Sequence, residues 1–342
     1  MLIFTLRRLN LFVFTIFLLT VLSFSLSFMF PGDSLINISG EVTANQDRLE
    51  ELAASYGKDS GIVSQYFTYV GKIFSGDYGV SMVTGLPLAD TIISLIPATI
   101  ELSLVALFIA MIIGIPLGFI GAIRHRKNTD NVILSIAMVG YSLPVFWVGL
   151  MAIQFLSIEL GWFPTAGQLS PVYEIDSQYG ILIIDILLSD SAYKWQAFSD
   201  ATSHLILPAA VIALAPATMF IRLARTAMLE VLETPYIRAA KAKGLSFSQV
   251  VYSHAIRNAL IMIVRHIGLQ FANLITIAMI TEVIFSWPGI GRWLIESIYQ
   301  RDYTAIQVGL LILSSFIFVV HIFIDFLYAA LNPLARGKKY GS

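Results

Sequence analysis

Long, uninterrupted apolar segments constrain this chain more than any other feature of its sequence. Segments of this length can cross a bilayer core of about 30 Å as helices. Six such segments cover roughly residues 9–30, 97–123, 131–158, 204–227, 261–285 and 303–331. Only 13% of the residues are charged, against about 25% in a soluble domain, so the composition excludes a soluble nucleic-acid binder. We therefore expect an all-α polytopic membrane protein with six transmembrane helices.

The basic residues are divided unequally between the two sides of these spans. Of the 21 Lys and Arg residues, fifteen lie on the side of the N-terminus and six on the other. The positive-inside rule then predicts that both termini and the loop 228–260 are cytoplasmic. The first span is too long for a cleavable signal peptide and is not followed by an Ala-x-Ala site, so we expect it to be retained.

The segment 31–96 has its own helical patterns on the extracytoplasmic side. Apolar residues recur at helical spacing before Gly57 and again before Gly76, which predicts two amphipathic helices. Their apolar stripes either pack on each other or lie on the membrane surface, and the sequence leaves both open. The predicted organisation is a cytoplasmic start and first span at 1–30, a periplasmic helical segment at 31–96, a five-helix core at 97–331 and a cytoplasmic tail at 332–342.

Small residues and prolines within the spans predict how the helices pack. Gly114, Gly118 and Ala122 place a small residue at every fourth position, which allows another helix to approach closely. Pro116 in the second span and Pro144 in the third each remove a backbone donor, so we expect local kinks there.

A polar, basic stretch from Tyr236 to Val264 separates the fourth and fifth spans. Its first part is rich in Ala, Arg and Lys and ends at Gly244, which predicts a helix that stops in the left-handed conformation. Ser246 and Gln249 have capping-box spacing, so a second helix should begin at once. Such a cytoplasmic helical hairpin is suited to a helix-in-groove contact with a partner protein. An interfacial amphipathic loop is the alternative.

Polar side chains inside the last two spans are candidates for a translocation pathway, because polar groups in a bilayer usually face a bundle interior or a water-filled path. Hydrogen bonding to a neighbouring helix is the ordinary alternative for any one of them. The candidates are Gln270, Asn273, Thr281, Glu282, Ser314 and His321. Asp325 lies near the cytoplasmic end of its helix, and we interpret it as the partner of an ion pair with Arg222, Arg225 or Arg265.

Catalytic and metal-binding patterns are missing from the sequence. The chain contains no cysteine, and none of its Gly-Lys pairs is followed by Ser or Thr, so it has no Walker A loop. It has no HExxH motif, and no spacing pairs Ser142 with His204 or His321. We predict no catalytic and no metal-binding residue. A non-catalytic transport protein is favoured over an intramembrane enzyme or a stand-alone channel.

The hairpin and several other motifs resemble one known family. Ala239, Ala240 and Gly244, with residues 257–261 (RNALI), are similar to the EAA loop of ABC transporter permeases of the dipeptide and oligopeptide type. That version usually has Pro next, where this chain has Met262, which removes the expected kink at the start of the fifth span. Further motifs resemble the B-type subunit of these permeases: residues 76–81 with Thr84, Gly85 and Pro87, Gly161-Trp162 with Pro164, His204 with Leu207-Pro208, residues 282–292, residues 301–303, Asp325 and Asn332-Pro333.

Within that branch, residues 187–191 and 278–282 look most like the Sap-type permease, a family associated with antimicrobial peptides and, in some members, with polyamine export. The resemblance implies a type I ABC importer fold in the bacterial inner membrane. Implied partners are a second permease, two cytoplasmic ATP-binding subunits that hold ATP and Mg, and a periplasmic substrate-binding protein; no cofactor is expected in this chain. The ATPase-coupling residues would be Tyr236, Arg238, Ala239, Ala240, Lys243, Gly244, Arg257 and Asn258.

The resemblance also implies a substrate class. It indicates a permease for peptides, including antimicrobial peptides, with a putrescine exporter as the alternative.

Overall fold

The computed structural model describes residues 2–43, 45–176 and 178–331. These residues are mostly helical, and their one β-pairing is an isolated bridge between Val80 and Pro87. Their fourteen α-helices are, in chain order, α1 Leu2–Met29, α2 Ser34–Ser39, α3 Gln46–Tyr56, α4 Ile62–Phe74, α5 Leu88–Ile123, α6 Asn128–Ser142, α7 Val145–Ala152, α8 Leu182–Leu188, α9 Lys194–Leu232, α10 Pro235–Ala242, α11 Phe247–Val250, α12 Ile256–Ile284, α13 Ile290–Gln300 and α14 Tyr303–Leu331.

Five of these helices are long and apolar enough to cross a membrane. The spans are Arg8–Met29, Leu88–Ile123, Lys194–Leu232, His266–Ile284 and Tyr303–Ile324. A sixth span is present if the bent pair Asn128–Ser142 and Val145–Glu159 is counted as one. The predicted all-α polytopic class is thereby confirmed. The predicted tail at 332–342 lies outside the described residues.

The third predicted span differs from a single kinked helix. The chain breaks between α6 and α7, and the two parts meet at 95°. Leu143 at the break is extended, with φ −80° and ψ 129°, because the ring of Pro144 disfavours the helical conformation of the residue before it. A π-helical segment, Ile153–Glu159, follows α7. Pro144 therefore divides the span, whereas α5 continues through Pro116.

Two of the spanning helices begin earlier than their apolar segments predicted. We expected them to start at Pro97 and His204, but α5 begins at Leu88 and α9 at Lys194. The 39 residues of α9 correspond to about 58 Å of helix, well beyond the thickness of a hydrocarbon core. Hydropathy marks only the apolar part of such a helix, so its polar first turns were assigned to loops.

The chain forms two compact units, of which the first contains residues 2–98 and 288–323. The two predicted amphipathic helices are confirmed as α3, which ends at Gly57 with φ 66°, and α4. Their inner faces pack together and against α1 and α2. This core consists of Phe24, Leu35, Ile38, Leu52, Tyr56 and Tyr69. The sequence left open whether the apolar stripes pack on each other or lie on the membrane surface. The stripes that contain these core residues pack on each other.

A loop between α4 and α5 is fixed within the same unit by Asp302. This buried carboxylate accepts hydrogen bonds from the Ser81 hydroxyl and from the amide of Met82 at 3.2 Å. The amide of Val80 donates to Ser39 O at 2.9 Å. A Cβ on Gly40 would lie 1.6 Å from Val80 O, so only glycine permits this approach. The loop is therefore a rigid part of the first unit.

The second unit contains residues 99–287 and 324–331. A Cβ at Gly114 would lie 2.6 Å from Ala217 O, and one at Gly118 would lie 2.5 Å from Ile221 O. The backbones of α5 and α9 therefore touch at these two positions. This contact confirms the close helix approach that the small residues predicted.

Candidate functional site

The polar stretch between α9 and α12 forms the predicted helix, glycine and helix. α10 is followed by Gly244, whose φ of +85° lies in the left-handed region that favours glycine. The capping box at the start of α11 is confirmed. Ser246 N donates to Gln249 Oε1 at 2.9 Å, and Gln249 N donates to Ser246 Oγ at 3.3 Å. We call residues 235–258 the hairpin.

The base of the hairpin is tied to the start of α12. Asn258 Nδ2 donates to the hydroxyl oxygen of Tyr236 at 2.8 Å, and it is also 2.8 Å from His254 O. Ile237, Val250 and Ala255 are fully buried. Between α11 and α12 the chain runs through a π-helical turn, Val251–Ala255. The Tyr236–Asn258 hydrogen bond therefore connects α10 to the first turn of α12.

The hairpin also has exposed apolar side chains. The exposed fractions of Leu245, Phe247 and Tyr252 are 36%, 49% and 74%. Arg238, Lys243 and Arg257 of the same segment are exposed as well. Ala239 is exposed and Ala240 half-buried, and the Lys241 side chain lies outside the described part of the structure. The hairpin thus combines exposed apolar and exposed basic side chains, a composition suited to a protein surface rather than to water alone.

Gly244 is needed for its conformation and not for its size. A Cβ built on it would have no atom within 4 Å, so a side chain has room. A residue with a Cβ is nevertheless strained in the left-handed region, by about 1–2 kcal/mol.

Met262 is the position at which the resemblance described above led us to expect proline. Its backbone lies inside α12, which continues from Ile256 to Ile284 without interruption. The sequence predicted that, without proline, the fifth span would have no kink at its start, and the unbroken helix is consistent with this prediction.

The predicted pathway residues of α12 are in different surroundings. Thr281 and Glu282 are completely buried, and the Thr99 hydroxyl donates to Glu282 Oε1 at 2.6 Å. Gln270 is half-buried and Asn273 is exposed on the surface of the chain. The structure therefore joins Glu282 to α5 and leaves Asn273 facing outward, although both were assigned to one pathway.

The predicted pathway residues of α14 are Ser314 and His321, and both are half-buried. His321 Nδ1 lies 2.9 Å from Ile317 O, one turn earlier in the same helix. Its imidazole is thus hydrogen-bonded within its own helix, which is the ordinary role that a polar residue has in a span.

Arg225 forms an ion pair that the sequence did not reveal. Its Nε and Nη2 atoms lie 2.7 Å and 2.8 Å from the two carboxylate oxygens of Asp130. His125 Nδ1 and the amide of Arg126 also contact this carboxylate, at 3.3 Å and 3.1 Å. Asp130 is only 2% exposed. The side chains of Asp325 and Arg265 lie outside the described part, so the pairing of Asp325 with Arg222, Arg225 or Arg265 stays a prediction.

A buried carboxylate in α5 was also missed. Glu101 is 4% exposed and accepts hydrogen bonds from Gln168 Nε2 at 2.8 Å and from Ile183 N at 2.9 Å. It therefore holds the long loop before α9 onto α5. An ionisable residue inside an apolar span is the signal that would have identified it.

The described residues contain no group of three or more His, Cys, Asp or Glu side chains that could hold a metal. The hydroxyl of Ser142, considered above as a nucleophile, donates to Met138 O at 2.8 Å in its own helix.

Comparison with known proteins gives matches over nearly the whole chain. The family of "Binding-protein-dependent transport system inner membrane component" matches residues 114–337, and its N-terminal counterpart matches residues 1–103. A Di/tripeptide transport system permease protein from Pseudomonas aeruginosa is 41% identical over 99% of this chain and 100% of its own length. A Putrescine export system permease protein from Escherichia coli is 38% identical over 99% of both. A Dipeptide transport system permease protein from the same organism is 38% identical over 99% of this chain and 100% of its own length.

Among solved structures, the inward-facing MetNI methionine ABC transporter shares this fold. Its matching chain has a TM-score of 0.52 and is 16% identical, over 69% of this chain and 93% of its own length. The fold, the two family matches and the full-length relatives agree with one another. The chain therefore belongs to the family of binding-protein-dependent transport system inner membrane components, the permease subunits of ABC transporters.

Proposed function

We propose that this permease moves peptides across the membrane together with a second, similar permease subunit. The relatives support this substrate class, because a di/tripeptide permease and a dipeptide permease match at 38–41% identity over essentially the full chain. Antimicrobial peptides are included in this class. A relative named for putrescine export supports the second candidate, a polyamine exporter.

The hairpin is the proposed site of coupling to two cytoplasmic ATP-binding subunits. The carrying observation is the exposure of Leu245, Phe247 and Tyr252 in a segment whose basic residues are exposed as well. An apolar helix face is the usual element of a helix-in-groove contact. ATP and Mg would be bound by those subunits, so this chain would have no cofactor of its own and no catalytic residue.

The bacterial inner membrane is the proposed location, with both termini in the cytoplasm. The excess of basic residues on the N-terminal side supports this orientation. The segment between α1 and α5 would then face the periplasm, where the third type of partner, a substrate-binding protein, delivers its ligand. The lipid bilayer surrounds the spanning helices, and no nucleic acid is involved.

The mechanism follows from the connection of the hairpin to α12. Closure of the ATP-binding subunits would displace α10, and the Tyr236–Asn258 hydrogen bond would carry this motion into α12. The spanning helices would then shift between inward-open and outward-open populations, because the nucleotide state favours one of the two. Asn273, which α12 leaves exposed, is our strongest candidate for a residue that lines the pathway between the two permeases.

Uncoupling variants test this function. We expect Gly244→Val and Ala240→Asp to reduce transport while ATP hydrolysis by the assembled complex continues, because the hairpin no longer fits its partner. Gly57→Val is the matched control: Gly57 also ends a helix in the left-handed conformation, with φ 66°, and a Cβ there would lie no closer than 3.6 Å to another atom. If Gly244→Val and Gly57→Val reduced transport equally, the hairpin would not be the coupling site.

The substrate is tested separately in reconstituted vesicles. Uptake of labelled di- and tripeptides that depends on ATP and on the binding protein is the expected result. Putrescine export without peptide uptake would favour the second candidate. Transport by the isolated chain, with no co-purifying ATP-binding subunit, would instead indicate a stand-alone channel.

A further inference from the structure

Helix α4 has an apolar surface that is wider than the part covered by the protein. One side of the helix, with Tyr66, Tyr69 and Ile73, packs in the core of the first unit. Next to it, Val63, Phe67 and Phe74 form a second apolar face, because residues spaced by four and seven positions lie on one side of a helix. The exposed fractions of these three side chains are 66%, 65% and 73%. The remaining side is polar.

Two hydrogen bonds fix the level of α4 along the membrane span of α1. The Tyr66 hydroxyl lies 2.8 Å from Thr20 Oγ1, and the Tyr69 hydroxyl lies 2.8 Å from Ser23 Oγ. At 1.5 Å per residue, Thr20 is about 14 Å and Ser23 about 9 Å inward from Met29, where the span ends. The hydroxyl groups of Tyr66 and Tyr69 therefore reach into the half of the bilayer that adjoins Met29.

The apolar span of α1 is too short for its contact with Tyr66 and Tyr69 to lie outside the membrane. Its span Arg8–Met29 contains 22 residues, or about 33 Å of helix, which only just exceeds a hydrocarbon core of about 30 Å. Moving Thr20 into water would draw Arg8 deep into the hydrocarbon, at a high cost in free energy.

The uncovered face of α4 lies beside an exposed apolar surface of α1. Phe17 and Leu22 of α1 are 51% and 55% exposed, and the Phe17 ring packs edge-on against Tyr66 with 6.4 Å between centroids. We propose that α4 is immersed in the membrane beside α1 and that lipid acyl chains cover Val63, Phe67 and Phe74. The segment between α1 and α5 thus has a lipid-binding surface in addition to any surface that meets other proteins.

The charged groups of this segment are compatible with immersion of one face. Lys58 Nζ lies 3.3 Å from Asp33, just beyond the end of α1, and Lys72 Nζ lies 3.2 Å from Asp77. Lys72 also sits over the ring of Tyr56, with Nζ 4.2 Å from the centroid. Lys72 is on the polar side of α4, opposite Phe67. An amphipathic helix at an interface has this arrangement.

The absence of cysteine from the sequence allows a direct test on the full chain. Spin labels are attached to Val63→Cys and Phe67→Cys in phosphatidylethanolamine–phosphatidylglycerol vesicles, and collisions with oxygen and with a water-soluble nickel chelate are measured. Ser64→Cys, on the polar side next to Val63, is the matched control. Labels on Phe14→Cys of α1 and Glu50→Cys of α3 provide the lipid and water references.

We expect the oxygen-to-nickel collision ratio at positions 63 and 67 to match the Phe14 label and to be several-fold higher than at Ser64. Nickel collisions equal to those at Glu50 would overturn the proposal, because this face would then lie in water. Protection of positions 63 and 67 from both reagents would also overturn it, since a protein would then cover the face. Size-exclusion profiles identical to that of the unlabelled chain establish that each variant is folded.

Discussion

The contact between α5 and α9 allows a prediction whose magnitude follows from distances in the structure. A Cβ at Gly118 would lie 2.5 Å from Ile221 O and 2.7 Å from Ala224 Cβ. Since one of these atoms belongs to the backbone, no change of side-chain rotamer relieves the overlap. A Cβ at Gly140 would lie 3.6 Å from Thr218 Oγ1, which is ordinary contact distance. The two glycines are both helical and differ mainly in the space around them.

We expect Gly118→Ala to destabilise the protein relative to Gly140→Ala. Replacing glycine by alanine within a helix favours the helix by about 1 kcal/mol in either variant. Overpacking costs about 1–3 kcal/mol and applies only at position 118. Because the overlap at position 118 involves backbone, which has to move, we expect a value in the upper part of that overpacking range. The free energy of unfolding of the two variants should therefore differ by about 2–3 kcal/mol.

Thermal denaturation of the purified variants in detergent, followed by the amount of monodisperse protein, measures this difference. Gly140→Ala should denature at or above the temperature of the original chain, and Gly118→Ala clearly below it. If Gly118→Ala denatured together with Gly140→Ala, the backbones of α5 and α9 would not be in contact.

Three further predictions follow from individual contacts. Asp130→Ala should destabilise the chain by about 3 kcal/mol, because the Arg225 guanidinium loses its buried partner. Thermal denaturation should also show partial recovery when Asp130→Arg and Arg225→Asp are combined, so that the double variant is less destabilised than the sum of the two single variants. Full additivity of Asp130→Arg and Arg225→Asp would contradict the pairing. Asp302→Asn should increase protease cleavage near Ser81, because an amide cannot accept all the hydrogen bonds of the carboxylate. A buried group left without its hydrogen bond destabilises the loop by about 1–3 kcal/mol. Unchanged cleavage would contradict the role of Asp302 in fixing this loop. Ser246→Ala should speed hydrogen exchange of the backbone amides at the start of α11, because loss of the N-cap side chain destabilises a helix by about 1 kcal/mol. Unchanged exchange would show that the cap does not stabilise α11.

The sequence predicted those features that depend on local periodicity and on individual backbone requirements. The apolar spans, the stripes of α3 and α4, the capping box of Ser246 and the left-handed Gly244 all follow from spacing within a few residues. The small residues at Gly114 and Gly118 indicated a close helix contact, but the identity of the partner helix required the fold.

Contacts between distant residues were not predictable in this way. Asp130 and Arg225 are 95 positions apart, and Thr99 is 183 positions from Glu282. Nothing in the local pattern of either residue selects its partner. Pro144 shows a different limit: a local kink was expected there, but the resulting angle depends on what packs against the two arms.

The central claim, that the hairpin is the contact through which ATP-binding subunits drive this permease, is tested most directly by chemical cross-linking. A single cysteine introduced as Phe247→Cys, in a chain that otherwise has none, is labelled with benzophenone maleimide and irradiated in membranes that also contain the ATP-binding subunits, so that the excited ketone inserts into a C–H bond of whatever protein touches position 247. The account predicts a covalent product between the two proteins whose yield changes when ATP is added, and no product from the Glu50→Cys control. Absence of any product from Phe247→Cys in an intact, transport-competent complex would contradict it.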